Sequence, residues 1–108
     1  MVRITTTYRN IPDGRFDFEY YLDSHMALSQ ELLGEFGMKS YEIEKCLQTM
    51  AGGQPDYVCV THVDFEDKDR LLAGIERHGT TLQADFPNYT NIEPEVQICE
   101  VFATWHHT

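Results

Sequence analysis

The sequence predicts one α+β domain in which two helices cover one face of a four-stranded antiparallel sheet. The length of 108 residues allows a single modest core. Segments with strand and helix periodicity follow one another in the order β-α-β-β-α-β, and no repeat, linker or low-complexity segment divides residues 1–108. Two interleaved right-handed β-α-β crossovers in this order give the ferredoxin-like arrangement. We therefore expect one domain, ending in a short tail over residues 103–108.

The first strand and the first helix are predicted in the N-terminal third. β-Branched residues crowd Val2–Tyr8, which predicts a strand, and the turn-rich segment Asn10–Gly14 ends it. We expect Asp17 to cap the following helix, which should run for about four to five turns and end near Gly34 or Gly37. Its apolar positions recur at helical spacing. They are Phe18, Leu22, Ser29, Leu32 and Phe36, with Tyr21 and Leu33 beside them.

A hairpin is predicted in the middle of the chain. Met38–Leu47 alternates, so Tyr41, Ile43, Lys45 and Leu47 should face one way and Ser40, Glu42, Glu44 and Cys46 the other. The loop Gln48–Asp56 is rich in glycine and turns the chain back. Tyr57–Phe65 is the most apolar strand of the sequence.

A second helix and a last strand complete the pattern. Asp67 or Asp69 can cap the helix, Gly79 should bend or interrupt it, and Pro87 must follow its end. Val96–Phe102 is the last strand. The apolar face of the helix should hold Leu71, Leu72, Ile75 and His78.

Charge limits the partners. Eight basic residues against 18 acidic residues give a net charge of −10 and a pI near 4.7. Such a surface repels phosphate backbones and anionic headgroups, so we expect no nucleic acid and no membrane as partners. No apolar stretch approaches the roughly 18 residues of a membrane span. The first ten residues lack the apolar core of a signal peptide, which predicts a cytoplasmic protein.

Neither a metal nor a cofactor is predicted. Cys46, Cys59 and Cys99 are widely spaced and odd in number, so we expect free thiols rather than disulfides or a Cys-x-x-Cys site. The pair His106-His107 is a weak metal signal, because adjacent side chains rarely converge on one ion. The sequence contains no glycine-rich nucleotide loop.

The third strand predicts a second copy of the chain as partner. One of its registers holds Tyr57, Cys59, Thr61, Val63 and Phe65, and the other holds Val58, Val60, His62 and Asp64. Apolar groups therefore lie on both faces, while a chain this short has no third layer to cover the second face. We expect a homodimer built sheet to sheet, with inward polar residues lining a pocket for an apolar or aromatic small molecule.

His25 is the most informative single residue. It lies seven positions after Phe18 and seven before Leu32, in the middle of the apolar stripe of the first helix. One interpretation is a buried core histidine with one hydrogen bond. The other is a general acid or base at the edge of a pocket, with its pKa tuned by partial burial.

Four further residues are candidates for substrate binding. His62 could orient a substrate from a strand facing the dimer interior, or could be an exposed histidine at the strand end. The hydroxyls of Tyr8 and Tyr41 suit the wall of an aromatic-binding cavity, although both could simply pack against the sheet. His78 lies on the apolar face of the second helix, four residues before Leu82, as a packing, capping or pocket residue.

Several segments resemble the EthD family, which is named for a small protein encoded with ethyl tert-butyl ether degradation genes. The most specific is the Asp-Phe-Pro-Asn-Tyr-Thr-Asn stretch at residues 85–91, and the resemblance extends from Val2 to Val101. In the first helix the family has a tyrosine and three further residues before a histidine, which match Tyr21 and His25. The other similar segments are residues 31–34, 41–45 and 78–79.

The resemblance implies a ferredoxin-like fold and the face-to-face dimer of the dimeric α/β-barrel group. That group includes muconolactone isomerases, polyketide cyclases and cofactor-free monooxygenases. In a methylmuconolactone isomerase branch the helix-one histidine, which His25 matches, is catalytic. The branch also uses a cysteine, to which neither Cys59 nor Cys99 can be matched. Tyr21 joins the candidate substrate-binding residues on the same resemblance.

Three functions are compatible with these observations. The first is a cofactor-free lyase or isomerase that acts on a ring- or carbonyl-bearing catabolic intermediate through His25. The second is a non-catalytic binding or accessory protein of xenobiotic degradation, and the third is a cofactor-free oxygenase. Polar groups that converge with His25 in a cavity would favour chemistry, whereas a wholly apolar cavity would favour carriage.

Overall fold

The computed structural model describes all 108 residues and has the predicted α+β architecture. Its sheet contains β1 (Val2–Arg9), β2 (Met38–Lys45), β3 (Tyr57–Phe65) and β4 (Glu95–Glu100), in the spatial order β2-β3-β1-β4. All neighbouring strands are antiparallel. This order confirms the ferredoxin-like prediction. The last strand is shorter than predicted and ends before the exposed Phe102.

The first helix, α1, spans residues 18–36 and is not regular. It consists of α-helical turns at Phe18–Tyr20 and Met26–Leu33, a π-helical turn at Tyr21–His25 and a final 3-10 turn at Gly34–Phe36. Asp17 caps its start by accepting a hydrogen bond from a backbone N–H. Gly37, with φ of 87°, ends it in the left-handed conformation that glycine adopts without strain.

The π-helical turn changes which face of α1 is buried. A π turn carries more residues than an α turn, so it rotates the side chains that follow it. Leu22, predicted on the apolar stripe, is 48% exposed, whereas Met26 and Leu33 are buried. His25 lies at the end of this turn and is buried. The predicted stripe was therefore wrong in detail because it assumed regular α-helical spacing.

The second helix, α2 (Lys68–Ala84), begins at Asp67, whose side chain accepts a hydrogen bond from the backbone N–H of Arg70. The expected break at Gly79 does not occur. A glycine inside a helix costs about 0.5–1 kcal/mol, and burial of Leu71 and Leu82 on either side of it offsets this cost.

The buried face of α2 also differs from the predicted one. Leu72 and Ile75 are exposed, while Gly74 is buried. A Cβ atom at position 74 would come within 3.0 Å of the Phe36 side chain. The close approach of the two helices therefore depends on a glycine that apolar periodicity does not register.

The two faces of the sheet differ in chemistry. The face under the helices carries Ile4, Thr6 and Tyr8 of β1 and Cys59, Thr61, Val63 and Phe65 of β3. The other face, here called the open face, is mostly polar: Arg3 pairs with Asp64 at 2.8 Å, and the Thr5 hydroxyl lies 3.1 Å from His62 Nδ1. On this face β3 contributes Val60 and, at the irregular pairing opposite Arg9, Tyr57, which was predicted to face the other way. Val58, predicted to lie beside Val60, packs against the core instead. The strand is thus apolar on both faces only in its first half.

The chain exposes more surface than a compact monomer of its size. Its accessible area is 7346 Å², against about 6,200 Å² expected for a monomer of this mass. The shape is a slab of 40 × 39 × 21 Å. Part of the excess is apolar, since Phe102 and Trp105 of the tail and Val96 and Ile98 of β4 are all exposed. Neither helix is both long and apolar enough to cross a membrane.

Candidate functional site

A cavity of about 320 Å³ lies between the sheet and the two helices. It lies within one chain, and the pocket predicted between the two facing sheets of a dimer is a separate space that stays a prediction. Its lining is largely apolar, with polar groups from β1, β3 and both helices. The polar lining residues are Thr6, Tyr8, Tyr21, His25, Ser29, Thr61 and Gln83, and the apolar ones include Ile4, Met26, Leu33, Val63, Phe65, Leu82, Phe86 and Val96.

His25 reaches this cavity from the π-helical turn of α1, and the residue is only 6% exposed. Its Nδ1 lies 3.0 Å from Oδ2 of Asp85, at the end of α2. Its Nε2 has no protein partner, yet every fully buried side-chain polar atom in the chain has one. Nε2 is therefore accessible. Because His25 lines the cavity, the accessible Nε2 faces that space. One nitrogen is committed to the protein and the other is available.

Asp85 is held by three hydrogen bonds. Its carboxylate accepts from His25, from the Tyr20 hydroxyl at 2.7 Å and from the Asn88 amide at 2.9 Å. Burial alone would raise the pKa of Asp85, but these three donors together lower it below its ordinary value. The carboxylate is therefore ionised at neutral pH and can only accept. Consequently the proton of a neutral His25 resides on Nδ1, and Nε2 is a free base.

Burial lowers the pKa of His25 below 6.5, and the neighbouring Asp85 partly counteracts this by stabilising the charged ring. The imidazole is thus neutral at pH 7, which is the state that a general base requires. A largely buried carboxylate beside the ring also stabilises the imidazolium that forms when Nε2 takes a proton. The pair is therefore suited to reversible proton transfer.

Three tyrosines belong to the core next to this pair. The Tyr21 ring stacks on the His25 ring with centroids 5.5 Å apart and planes 12° from parallel. The Tyr21 hydroxyl is 2.7 Å from Thr61 Oγ1, and the Tyr8 hydroxyl is 2.9 Å from that of Tyr89. Burial raises the pKa of each of these three phenols. All three therefore remain protonated, and Tyr21 and Tyr89 pack against the histidine ring and hold its position.

Cys59 lies on the same sheet face, and its Sγ is 3.7 Å from Thr61 Oγ1. Burial raises the pKa of its thiol to about 11. A neutral thiol is a poor nucleophile at pH 7, and Cys59 is not among the residues that line the cavity. None of the three cysteines is paired. The arrangement does not supply a reactive cysteine beside His25.

The predicted site residues divide into two groups. The structure brings Tyr8, Tyr21 and His25 together in the cavity. Tyr41 faces the helices from β2 but lies outside the cavity lining, and the ring of His78 packs against Phe36 with centroids 5.7 Å apart. His62 lies on the open face, with Nε2 3.4 Å from Glu44. These three cannot share one cavity with His25 within a single chain.

Sequence reasoning missed Asp85, Tyr20 and Asn88. The stretch at residues 85–91 was the most family-specific segment, yet no role was assigned to it. A topological signal was available: in a β-α-β-β-α-β fold both helices cover one sheet face, so the end of α2 can meet the middle of α1. The carboxylate nearest the helix-one histidine could have been sought there.

Comparisons with known proteins identify the family of this chain. No family model and no curated protein sequence matches the chain. Among solved structures, an EthD-like protein from Ralstonia eutropha JMP134 matches with a TM-score of 0.87 and 30% identity, covering 94% of this chain and 92% of that one. The chain therefore belongs to the EthD-like family.

Two more distant structures show the same fold. An ethyl tert-butyl ether degradation (EthD) family protein from Bacillus halodurans C-125 has a TM-score of 0.60 at 13% identity, covering 88% of this chain and 96% of that one. A dimeric ferredoxin-like protein from an uncultured marine organism has a TM-score of 0.57 at 12% identity, covering 99% and 100%. At these identities the likeness concerns the fold alone.

Proposed function

We propose that this protein is a cofactor-free lyase or isomerase that acts on a ring- or carbonyl-bearing catabolic intermediate, with His25 as its acid and base. The observation that carries the proposal is that the two ring nitrogens of His25 have different surroundings. Nδ1 of His25 is hydrogen-bonded to the largely buried Asp85 carboxylate, and Nε2 is free beside a cavity. This is the arrangement that a histidine general base needs.

The proposed reaction begins with a proton on a carbon next to a carbonyl group. Nε2 of His25 takes this proton, and the electrons of the C–H bond move to the carbonyl oxygen to give an enolate. Asp85 stabilises the imidazolium formed. Return of the same proton to a different carbon completes an isomerisation. Its transfer to a departing hydroxyl group, as the enolate electrons re-form the carbonyl, completes an elimination that releases water. In both cases His25 ends neutral.

The composition of the cavity favours chemistry over simple carriage. A carrier of apolar molecules needs no acid or base, and a wholly apolar lining would serve it best. Here an available imidazole nitrogen opens to the cavity, and three donors hold its carboxylate partner ionised. If catalytic tests are negative, the result would indicate a non-catalytic binding or accessory protein instead.

The proposal includes a homodimer that buries the open face of the sheet. Three observations support it: the accessible area exceeds that of a compact monomer, the slab is only 21 Å thick, and Tyr57 and Val60 lie half-buried on a face that no element covers. The excess of about 1,100 Å² is comparable to the roughly 800 Å² that each partner buries in a standard interface. A structural neighbour is described as dimeric.

Deuterium incorporation tests the reaction without knowledge of the natural substrate. The purified protein is incubated in D₂O with a panel of cyclic ketones, lactones and acyl phenols, and mass spectrometry detects exchange at carbon. We expect exchange with at least one compound, abolished in His25→Ala and retained in His106→Ala, since His106 is an exposed histidine of the tail. Equal exchange in His25→Ala would refute the proposed role. Tight binding without exchange would indicate carriage.

A further inference from the structure

The charges around the cavity bear on the kind of molecule it accepts. No aspartate, glutamate, lysine or arginine side chain lines it. The Asp85 carboxylate, hydrogen-bonded to Nδ1 of His25, places a negative charge beside the ring that opens to the cavity. The whole chain carries a net charge of −10. An anion entering this space would lose its hydration, meet no cation and approach a fixed negative charge.

The uncommitted polar groups of the cavity are neutral. The Thr6 hydroxyl, the Gln83 side-chain amide and His25 Nε2 line the cavity or open to it, and the hydrogen bonds of the protein leave all three free. Thr6 lies in the centre of the sheet, opposite Thr61 and Val96. Gln83 lies on an exposed part of α2, at the edge of the cavity. A hydroxyl and an amide can each bond to a carbonyl or hydroxyl oxygen.

The size of the cavity limits the ligand further. A water molecule occupies about 30 Å³ in the liquid, so a cavity of 320 Å³ has room for on the order of ten waters. This volume is at the small end of ligand sites, and it fits a molecule of one or two rings. The apolar side chains of Met26, Leu33 and Phe65 line the space that such rings would fill.

We propose that the substrate is an uncharged one- or two-ring compound with a carbonyl or hydroxyl oxygen, that anionic carboxylates are excluded, and that Thr6 and Gln83 determine this specificity. The inference rests on the proposed function in taking the cavity as the substrate site. It goes further, because acid-base chemistry at His25 by itself would be compatible with a carboxylated substrate. Exclusion follows from the charges and neutral polar groups around the cavity.

A matched pair of probes tests the inference. 2-Naphthol and 2-naphthoate share a ring system, and at pH 7.5 only the second is charged. Binding to the full chain is measured by NMR titration or equilibrium dialysis. We expect 2-naphthol to bind at least about tenfold more tightly than 2-naphthoate. Equal binding of the two, tighter binding of 2-naphthoate, or no binding of either probe would overturn the inference.

Variants assign the selectivity to the named residues. Thr6→Val should weaken 2-naphthol binding about three- to tenfold, as expected for one lost neutral hydrogen bond. Thr7→Val is its matched control, because Thr7 points to the open face of the same strand; it should leave binding unchanged. Gln83→Lys should raise the affinity for 2-naphthoate at least about fivefold. If Thr6→Val and Thr7→Val have equal effects, or if Gln83→Lys does not improve anion binding, the assignment is wrong.

These outcomes are separate from those of the proposed function. The probe measurements need no turnover and can be repeated in His25→Ala. Preference for 2-naphthoate would overturn the uncharged-substrate inference even if deuterium exchange depends on His25. Absence of exchange from a panel of compounds that bind would overturn the proposed function while the preference for neutral ligands still stands.

Discussion

Two histidines, each beside a carboxylate, lie on opposite sides of the same sheet and differ in what surrounds them. His25 contacts Asp85 at 3.0 Å, with side chains that are 7% and 13% exposed. His62 contacts Glu44 at 3.4 Å, with side chains that are 20% and 56% exposed. A contact of the second kind is open to water and contributes little to stability. A pair of the first kind is held in one geometry.

The difference shows that the partners of the carboxylate matter as much as the pair itself. Tyr20 and Asn88 also donate hydrogen bonds to Asp85, which fixes the carboxylate and therefore the tautomer of His25. In the other pair, the His62 ring has one further contact, from the Thr5 hydroxyl, and Glu44 is largely in solvent. Both pairs consist of a histidine and a carboxylate, and their positions in the fold make the difference. His25 and Asp85 form a candidate catalytic group, whereas His62 and Glu44 are part of the surface.

The largest expected effect comes from removing the buried ring. His25→Ala should reduce turnover by on the order of a hundredfold or more, because it removes the group that transfers the proton. It should also lower the free energy of unfolding by roughly 1–3 kcal/mol, since Asp85 loses a donor and a small void remains. Steady-state kinetics and urea unfolding measure the two effects. Loss of stability with full turnover would show that His25 is a structural residue.

The next largest effect is expected from neutralising Asp85, the carboxylate beside His25. Asp85→Asn should lower turnover about ten- to a hundredfold, because the amide no longer enforces the tautomer of His25 or stabilises its charged form. The pKa of His25 should fall further, since the carboxylate that raises it is gone. Kinetics and an NMR titration of the ring protons provide the two readouts.

Glu44→Gln is the matched control for this comparison, because it neutralises the carboxylate beside the other histidine. We expect it to leave turnover and the pKa of His25 unchanged. Equal losses in Asp85→Asn and Glu44→Gln would contradict the distinction between the buried and the exposed pair.

Much of this fold could be predicted from local patterns. Alternation gave β2 and β3 almost to the residue, and Gly37 ended α1 as expected. The π-helical turn could not be predicted, because periodicity analysis assumes a constant 3.6 residues per turn. The continuity of α2 through Gly79 was also missed, since tertiary packing of Leu71 and Leu82 outweighs the local propensity of glycine.

The site was predictable only in part. His25 and Tyr21 were found because a stripe position and a family pattern both marked them. Asp85 was not, because its role depends on a contact between residues 60 positions apart in the sequence. The cavity beside His25 was not predicted either, because apolar periodicity indicates which residues a core buries but not where that core leaves space. The pocket expected between the facing sheets of a dimer stays a prediction; within one chain, Arg3, Asp64 and His62 pair with neighbours on the open face.

A smaller effect concerns the open face as a dimer interface. Light scattering at micromolar concentration should give about twice the chain mass of 12.5 kDa. Val60→Asp should weaken association about tenfold or more, because it places a charge in the centre of the face. Leu72→Asp is the control, since Leu72 is exposed on α2, away from this face. A monomeric wild-type protein, or a dimer that Val60→Asp leaves intact, would contradict sheet-to-sheet association.

The smallest expected effect is the pH dependence of stability. In the unfolded chain the pKa of His25 is near 6.5, and burial lowers it in the folded protein. Between these two values the unfolded state binds more protons, so the free energy of unfolding should decrease as the pH falls from about 6.5 towards the folded pKa, and be fully restored above 6.5. Asp85, whose pKa is lowered below 3.8, contributes a separate loss of stability only below about pH 4.

Urea unfolding at pH 7.5, 6.0 and 5.0 would detect the step caused by His25, which should be smaller than the loss of stability in His25→Ala. His25→Gln should abolish this step, while His106→Gln should keep it. If the wild-type protein is equally stable at all three values, or if His25→Gln shows the same decline, the buried ring is not the group that titrates.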